Sequence, residues 1–478
     1  MTPSFYWHDY ETWGADPRRD RAAQFAGIRT DWDLNVVGKP LVAYCRPGDD
    51  MLPHPEACLI TGITPQQAWD VGVIEAEFFR LIHEQLARPG TCGVGYNSMR
   101  FDDEFTRYGF YRNFIDPYAR EWMNGNSRWD IIDMARLAHA VRPEGIEWPQ
   151  DAEGTVSFRL DRLTVANGIS HEGAHDALSD VYATLDLARL IKQKQPRLFD
   201  YLLRMRDKRR VGEMLNPATM QPVLHVSSKY PARQGCIAMV APLARHPTNS
   251  NGIIVYDLRY DPGPLIELDV EEIRQRLFTP VADLPTNVAR IPLKTVHLNK
   301  APVVVPLSTL NGSAADRWGI NVAAGQVALK RLKQSTGLAE KVRSVHQVME
   351  PPGDPDPDAN LYGGGFFSNG DRHRIARVRE SSPELLGKLN LVFDDQRLPE
   401  LLFRFRARNW PEYLTEDERE RWQSFRLKRV TDPEAGGGMI LDVYRRKLAR
   451  LMVAPLLSGR DREILSKLAD WPERLHLT

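Results

Sequence analysis

Strand-like and helix-like hydrophobic patterns alternate along residues 1–195 of this 478-residue chain. Three short and largely apolar runs are predicted to be strands: SFYWHDYE, NVVGKPLVAYC and CGVGYN. Helical spacing is present from Ala76 to Leu86 and in LSDVYATLDLARLIKQKQ, and Thr64 followed by Pro65 marks a helix start. SRWDIIDMARLAHAV is also predicted as one helix. Strands interleaved with helices predict an α/β sheet.

Residues 196–350 have a different pattern, because short β-rich runs follow one another with turn-forming residues between them. These runs are VLHVSS, GCIAMVAPLA, GIIVYDL, PLIEL, RIPLKTVHL and PVVVPLSTL. The turns HPTNSNG and YDPGP separate some of them. The segment therefore predicts a β-rich domain that ends in helical pieces after Ser313.

The last part of the chain is predicted to be helical. PPGDPDPDAN, residues 351–360, is rich in Pro and Asp and is typical of a linker. Beyond it, Leu398, Leu401, Leu402 and Phe405 repeat at helical spacing, which gives one buried face. Thr415 and Glu418 form a capping-box pattern. Residues 361–478 are thus predicted to be an all-α domain.

The amino-acid composition limits which classes of function and structure fit this chain. Lys plus Arg and Asp plus Glu are balanced at 63 each, so a nucleic-acid partner would have to be held by a local patch or by metal ions. The four cysteines are scattered without a C-x-x-C pair, which argues against a zinc knuckle or a disulfide framework. Neither a signal peptide nor a membrane-length apolar stretch is recognisable. We expect a cytoplasmic protein.

Two acids end the first strand-like run. Residues two apart in a strand share a face, so Asp9 and Glu11 are predicted to project together. Two buried carboxylates repel each other and lose hydration, which is costly unless a cation offsets it. The alternative is a solvated strand edge, and D-x-E alone is a common pattern.

Further acids lie in GYNSMRFDDEF and GAHDALSDVYAT. Asp102 follows an apolar run, with Asp103 as a possible helix cap. Asp176 can cap a helix whose first turn contains Asp180, while His175 is expected on the loop before that helix. Alone, each has an ordinary explanation, since His175 could be a loop histidine and Asp180 a first-turn acid favoured by the helix dipole.

Together these residues supply the parts of a two-metal phosphoryl-transfer site. Oxygen ligands from four carboxylates select Mg²⁺ or Mn²⁺, and two such ions would activate water and stabilise a leaving 3′-oxygen. His175, with an imidazole that titrates near neutrality, is the candidate to accept the proton of the water.

The order D-x-E, N-x-x-x-F-D and H-x-x-x-x-D resembles the signature of DEDDh 3′→5′ exonucleases with a ribonuclease-H-like fold. The resemblance extends to the bacterial exonuclease I family over nearly the whole chain, through HDYETWG, NSRWDIIDM, SFRLDRLTVANGI, PRLFDYL, MVAPLARHP and LPELLFRFRARN. It implies an exonuclease domain (1–195), an SH3-like β-rich domain (196–350), a linker (351–360) and a helical domain (361–478).

The resemblance also implies site residues and activity. Asp9, Glu11, Asp102 and Asp180 match the metal-binding acids, and His175 matches the general base. The family digests single-stranded DNA processively from the 3′ end and releases 5′-mononucleotides, so Mg²⁺ in two sites, with Mn²⁺ as a substitute, and roles in DNA repair and recombination are expected.

Candidate DNA contacts are Arg136, Arg142 and Arg159, since a single strand needs cations along its backbone. Arg404, Arg406 and Arg408 are a second candidate group, in which Arg404 and Arg408 share a helix face, although either group could instead pair with nearby acids. Phe101, Trp13 and Trp129 are candidate stacking surfaces, with core packing the favoured interpretation.

The family also binds the acidic C-terminal tail of the single-stranded-DNA-binding protein. Such a tail requires an arginine beside an apolar pocket, for which Arg142 and Tyr201 are candidates. Arg142 is thus assigned to both ligands, and one assignment is expected to be wrong.

Two alternatives stay open at this point. One is a DEDDh exonuclease that acts on RNA, because the acids alone do not distinguish the two sugars. The other is a nucleic-acid-binding module with an inactive nuclease core, although none of the expected acids is missing. We expect a monomer without a membrane partner.

Overall fold

The structure is a computed structural model that describes residues 3–171, 176–347 and 353–477. The chain divides into two compact units. The first comprises residues 1–127, 171–182 and 351–478, and the second comprises residues 128–170 and 183–350. Within the three described ranges, no helix combines the length and the apolar character that crossing a membrane requires.

Both strands and helices are numbered in chain order. The strands are β1 Ser4–Thr12, β2 Ala22–Thr30, β3 Leu41–Tyr44, β4 Thr91–Gly95, β5 Ser127–Asp130, β6 Val223–Val226, β7 Ile237–Arg245, β8 Gly252–Asp257, β9 Leu293–His297 and β10 Val304–Pro306. The helices are α1 Pro55–Thr61, α2 Pro65–Val71, α3 Glu75–Leu86, α4 Asp102–Arg112, α5 Ile131–Val141, α6 Leu160–Ala166, α7 Ala177–Lys194, α8 Pro196–Met205, α9 Lys208–Met214, α10 Gly263–Glu267, α11 Val270–Phe278, α12 Gly312–Trp318, α13 Val322–Gln334, α14 Leu338–His346, α15 Asn369–Glu380, α16 Pro383–Leu386, α17 Arg397–Asn409, α18 Glu416–Thr431, α19 Leu441–Met452 and α20 Gly459–Arg474.

Strand β1 organises the sheet of the first unit. It pairs antiparallel with β2 and parallel with β4, and β2 pairs antiparallel with β3. The side chains of Phe5, Tyr6 and Trp7 are buried, which agrees with the apolar run predicted as a strand. Pairing with β4 ends at Trp7, so the last residues of β1 extend beyond that ladder. The end of β1 is therefore free to carry polar side chains.

The N-terminal and C-terminal parts of the chain share apolar cores within the first unit. One core joins Trp13, Cys58 and Ile63 to residues of α19 and α20, including Tyr444 and Leu468. A second joins aromatic residues of α4 to α15 and α17. The apolar face predicted for Leu398, Leu401 and Phe405 is buried there.

A cluster of buried ion pairs links the same two parts of the chain, and the residues that form it are here called the buried ion cluster. Its acids are Asp50, Asp356 and Asp358, and its bases are Arg404, Arg408 and Arg429. The expectation that Arg404 and Arg408 line a DNA groove is wrong, because their side chains are 8% and 4% exposed and bound to these acids. The same expectation is wrong for Arg406, which is 9% exposed and pairs with Glu418 at 2.6 Å. Two acids of the segment predicted as a linker are thus buried partners.

The second unit contains an antiparallel sheet with strand order β10-β6-β7-β8-β9. Its apolar core includes Val240, Val255 and Val304, and helices α8 and α9 contribute Met205 and Val211. The β-rich prediction for this segment is therefore confirmed, with one exception. The first four residues of PLIEL lie in the short helix α10, because Pro262 and Pro264 at its start favour a helical turn rather than a strand.

Local signals for helix starts are confirmed. The hydroxyl of Thr64 accepts a hydrogen bond from the backbone N–H of Gln67, with Pro65 in the first turn. Thr415 and Glu418 form a capping box. SRWDIIDMARLAHAV, however, is not one helix, since Ser127–Asp130 forms β5 and the Asp130 side chain caps α5. All four cysteines are buried free thiols.

Candidate active site

Asp9 and Glu11 lie on one face at the carboxyl end of β1. In the pairing of β1 with β2 they face Ala26 and Gln24, and Tyr10 between them points to the opposite side and is buried. The period of two predicted from the sequence therefore places both carboxylates together. Because β4 does not pair with this end of β1, its edge is open to groups that follow β4.

Asp102 is brought to the same edge by the parallel pairing of β1 and β4. It is the first residue of α4, which follows β4, and its side chain is 3% exposed. Asp102 Oδ1 accepts a hydrogen bond from the backbone N–H of Tyr10 at 3.1 Å. The carboxylate is thus held beside β1, between the positions that carry Asp9 and Glu11.

Asp103 has a different partner. Its carboxylate forms a buried ion pair with the guanidinium of Arg120, whose side chain is 1% exposed. This ion pair holds the negative charge of Asp103 within the core. The structure therefore gives the two adjacent acids different surroundings.

Asp180 lies in the first turn of α7, as predicted. Asp176 precedes the helix, and its Oδ2 accepts a hydrogen bond from the backbone N–H of Ser179 at 3.2 Å, so the predicted cap is confirmed. His175, the predicted general base, lies outside the described residues.

Three of the predicted acids converge. Ligand oxygens of Asp9, Glu11 and Asp180 lie within 4.8 Å of one another. Burial and the neighbouring carboxylates, first Asp102 and then Glu11 and Asp180, raise the pKa of Asp9 well above its usual range. Burial, together with Asp180 and Asp102, raises the pKa of Glu11 to about 9.

These acids fit a divalent cation. Several carboxylates crowded into a partly buried site are destabilised unless a positive charge lies among them, and hard oxygen donors select ions such as Mg²⁺ or Mn²⁺. The pKa values of Asp9 and Glu11 are raised for the same reason, because burial and the neighbouring carboxylates disfavour the ionised form of each. The arrangement can therefore bind a metal and position a phosphate group beside it.

The predicted DNA-binding arginines differ in their surroundings. Arg136 is 12% exposed, forms an ion pair with Asp133 at 2.6 Å and lies over the ring of Phe158. Arg159 is 63% exposed and pairs with Asp161 at 2.9 Å. The two side chains are therefore not equivalent, and only Arg159 is open to solvent over most of its length.

Two of the aromatic candidates are core residues. Trp13 and Trp129 are 1% and 2% exposed. They cannot stack on a base without unfolding, so the core-packing interpretation is confirmed for both.

Arg142 and Tyr201 line one pocket of about 400 Å³ in the second unit. Leu137, Leu198 and Val305 supply apolar lining, and Arg197 supplies a second cation. The Tyr201 hydroxyl donates to the carbonyl of Val304 at 3.1 Å, and Arg142 Nη1 donates to the carbonyl of Thr309 at 3.1 Å. A basic group thus lies beside an apolar surface, and the role of the pocket stays a prediction.

One residue at the site was not predicted. His171 Nε2 forms a hydrogen bond with Asp180 Oδ1. The spacing of His171 to Asp180 matches no motif, and a histidine before a glycine-containing loop carries no signal of its own in the sequence.

The sheet and the carboxylates at its edge define an exonuclease of the ribonuclease-H-like fold. A model of exonuclease domains, described as "Exonuclease", matches residues 6–188. Models of the exonuclease I SH3-like domain and the exonuclease I C-terminal domain match residues 206–348 and 355–475. The chain belongs to the exonuclease I family, and the predicted succession of an exonuclease fold, an SH3-like fold and a helical fold is confirmed.

Individual relatives extend over the same length. Exodeoxyribonuclease I of Escherichia coli is 49% identical over 433 residues, which cover 90% of each chain. A moderately thermophilic exonuclease I from Methylocaldum szegediense has a TM-score of 0.96 at 52% identity, with 100% of both chains covered. The zinc-bound complex of E. coli ExoI with single-stranded DNA has a TM-score of 0.94 at 45% identity, again over 100% of both chains.

Proposed function

We propose that this chain is a Mg²⁺-dependent, processive 3′→5′ exonuclease that hydrolyses single-stranded DNA to 5′-mononucleotides. The observation that carries the proposal is the convergence of Asp9, Glu11 and Asp180 within 4.8 Å, in a chain that matches exonuclease I along its length. The relative from E. coli that binds single-stranded DNA with zinc supports both the substrate and a divalent ion. DNA repair and recombination in the cytoplasm follow as the expected setting.

The metal would be held by Asp9, Glu11 and Asp180, with Asp102 beside them. A pair of divalent ions at such acids supplies charge for the attacking and leaving oxygens of a phosphodiester. The contribution of the chain is to fix the carboxylates: β1 holds Asp9 and Glu11, and the Tyr10 N–H holds Asp102. His175 is proposed as the residue that accepts the proton of the attacking water.

The single strand is proposed to contact Arg136 and Arg159. The exposed guanidinium of Arg159 is the more accessible of the two, and its pair with Asp161 is weak because both groups are solvated. A phosphate can therefore compete with Asp161 for Arg159 at small cost. Arg136 would act more through its position beside Phe158 than as a free cation.

The pocket of Arg142 and Tyr201 is proposed as the site for the acidic tail of a single-stranded-DNA-binding protein. The terminal carboxylate of such a tail would pair with Arg142 or Arg197, and its apolar end would pack on Leu137 and Leu198. This favours the tail over DNA as the partner of Arg142, because the pocket is apolar as well as basic. We propose that the enzyme acts as a monomer.

The test is digestion of 3′-labelled oligonucleotides by the purified chain, with Mg²⁺ and with EDTA. Single-stranded DNA is expected to be degraded to mononucleotides only with the metal, and duplex DNA and single-stranded RNA to be degraded far more slowly. The Asp9→Asn variant is expected to bind DNA but not cut it. Equal or preferred digestion of RNA would contradict the substrate assignment, and full activity of Asp9→Asn would contradict the site.

A further inference from the structure

His171 makes a direct contact with one of the acids of the active site. Its Nε2 and Asp180 Oδ1 form a hydrogen bond between residues nine positions apart. The side chains are 4% and 18% exposed, so the imidazole is buried and the carboxylate partly so. A charge-assisted hydrogen bond in such surroundings is strong and directional.

The other acids are held by the backbone of the sheet. Asp9 and Glu11 lie on the paired strand β1, and Asp102 accepts the N–H of Tyr10. Asp180 instead comes from the first turn of α7, four residues after the exposed Asp176. A carboxylate at a helix start rotates about two side-chain bonds, so a contact with a buried partner strongly affects its direction.

We propose that His171 is a positioning residue for the metal site. By donating a hydrogen bond from Nε2, it holds the Asp180 carboxylate turned towards Asp9 and Glu11, so that the acids are arranged before a metal ion binds. This inference rests on the proposed function of the same acids as a metal site. Partners of this kind fix the orientation of metal ligands in many sites.

Two other roles for His171 fit the contacts less well. A general base must offer an unprotonated nitrogen to water, whereas Nε2 is engaged with Asp180 and the ring is 4% exposed. A purely structural role would make the histidine equivalent to any buried side chain of similar volume. The experiment therefore has to separate hydrogen bonding from packing.

The experiment compares His171→Gln, which keeps an N–H donor on a long side chain, with His171→Leu, which keeps volume but has no donor. Binding of Mn²⁺ to the full chain without DNA is measured by titration calorimetry. The His171→Leu variant is expected to bind Mn²⁺ about 10–100-fold more weakly, as on loss of a partner that orients a ligand, and His171→Gln to recover most of the affinity.

A kinetic readout accompanies the titration. With His171→Leu, the Mg²⁺ concentration for half-maximal hydrolysis is expected to rise by a similar factor, while the affinity for single-stranded DNA in EDTA is unchanged. The matched control is His139→Leu, which removes another buried histidine, 6% exposed, in the second unit. It is expected to leave Mn²⁺ binding at the wild-type value.

The outcomes separate the inference from the proposed function. If the wild-type chain does not bind Mn²⁺, or if Asp180→Asn binds it as well as wild type, the metal site itself is wrong. If Asp180→Asn loses binding but folded His171→Leu retains wild-type affinity, the positioning role is wrong. Circular dichroism and melting temperature establish folding, and should His171→Leu unfold, wild-type-like affinity of His171→Asn, whose short amide does not reach as far, would contradict the proposal.

Discussion

Arg408 and Asp358 form a two-point ion pair across 50 positions of sequence, with Arg408 Nη1 donating to Asp358 Oδ1 at 3.0 Å. Arg408 also donates from Nη2 to Asp50 at 2.8 Å, and the side chains of both acids are fully buried. The neighbouring cations, Arg408 first, hold the pKa of Asp358 well below its usual range against the opposing effect of burial. Removal of any one charge of the buried ion cluster therefore leaves its partners buried and uncompensated.

Asp358→Asn is therefore predicted to destabilise the protein by about 3–5 kcal/mol, because it leaves Arg404 and Arg408 buried with one charge too few. Urea unfolding followed by circular dichroism measures the loss. Asp186→Asn is the matched control, since Asp186 pairs with Arg189 on the surface at 2.7 Å with both side chains about 40% exposed; it is expected to cost less than about 1 kcal/mol.

The same pair predicts an acid-dependent effect. Because the folded-state pKa of Asp358 is lower than the unfolded value of about 3.9, its contribution is present above that value and is lost as pH falls through the folded pKa. The stability difference between wild type and Asp358→Asn should therefore shrink at the acid end of the range where the protein stays folded. A difference independent of pH would contradict the ion-pair explanation.

The raised pKa of Glu11 predicts that stability depends on pH in the opposite direction in the metal-free enzyme. Its pKa is raised to about 9 in the folded state, above an unfolded value of about 4.3, so the folded state binds this proton more tightly. Stability contributed by the protonated group is present at low pH and is lost as pH rises towards the folded pKa.

In EDTA at pH 8, Glu11→Gln is accordingly expected to melt at a higher temperature than wild type, and the gap should narrow towards pH 5. Addition of Mg²⁺ should raise the melting temperature of wild type more than that of Glu11→Gln. Melting curves by scanning calorimetry check both statements, and a wild type that is more stable than Glu11→Gln in EDTA at pH 8 would contradict them.

Replacement of the adjacent acids Asp102 and Asp103 is predicted to have different effects. Asp102→Asn should lower kcat about 100-fold or more while the protein stays folded, because the acid lies beside the metal-binding group and even residues that merely orient ligands cost 10–100-fold. Asp103→Asn should instead destabilise the protein by about 3–5 kcal/mol, since it leaves Arg120 buried without its partner. Single-turnover rates and urea unfolding on both variants make the comparison.

Arg142→Ala is predicted to weaken binding of an acidic peptide with a free apolar C-terminal residue, with little effect on the KM for free single-stranded DNA. Loss of a charged partner in a pocket of this kind typically costs 2–5 kcal/mol, or about 30-fold or more in Kd. Fluorescence anisotropy with the peptide and with its C-terminal amide measures the effect. Arg159→Ala is the control, and it should raise KM without changing peptide binding.

Replacement of Gly109 in α4 by alanine is predicted to destabilise the protein. Alanine is better than glycine in a helix by about 1 kcal/mol, but a Cβ at Gly109 would lie 2.0 Å from the ring of Phe79, which is 1% exposed. Overpacking of this kind typically costs about 1–3 kcal/mol, so Gly109→Ala should be destabilising overall. Gly459→Ala, where a Cβ meets nothing within 4 Å, is expected to be neutral or slightly stabilising in the same thermal unfolding measurement.

Much of the fold could be predicted because its signals are local. The short aromatic run in SFYWHDYE sets β1, and the hydroxyl of Thr64 before Pro65 starts α2. The errors have local causes too. SRWD is predicted as helical because it runs directly into the helical pattern of Ile131, Ile132 and Ala135, yet Asp130 caps α5 and so ends β5. PLIEL is predicted as a strand because a run of five residues is too short to distinguish the period of a helix from that of a strand.

For the candidate site, the period of β1 predicted that Asp9 and Glu11 project together, and the resemblance to the exonuclease motifs added Asp102 and Asp180. The predicted domain boundaries and the roles of Arg136, Arg142, Arg159, Tyr201 and His175 stay predictions. The partners of Arg404 and Arg408 were not predictable, because Asp50 and Asp358 lie far from them in sequence and a pair of helical arginines has the same pattern whether it binds solvent, DNA or buried acids.

The sequence by itself determined where several strands and helices begin, that Asp9 and Glu11 share a face, and to which family the pattern is similar, since each depends on neighbours within a few positions. Only the tertiary structure decided that Asp103 pairs with Arg120, that Asp356 and Asp358 are buried, and that His171 is hydrogen-bonded to Asp180. The physical reason is that electrostatic energy depends on distance and burial in space, and chain separation gives neither.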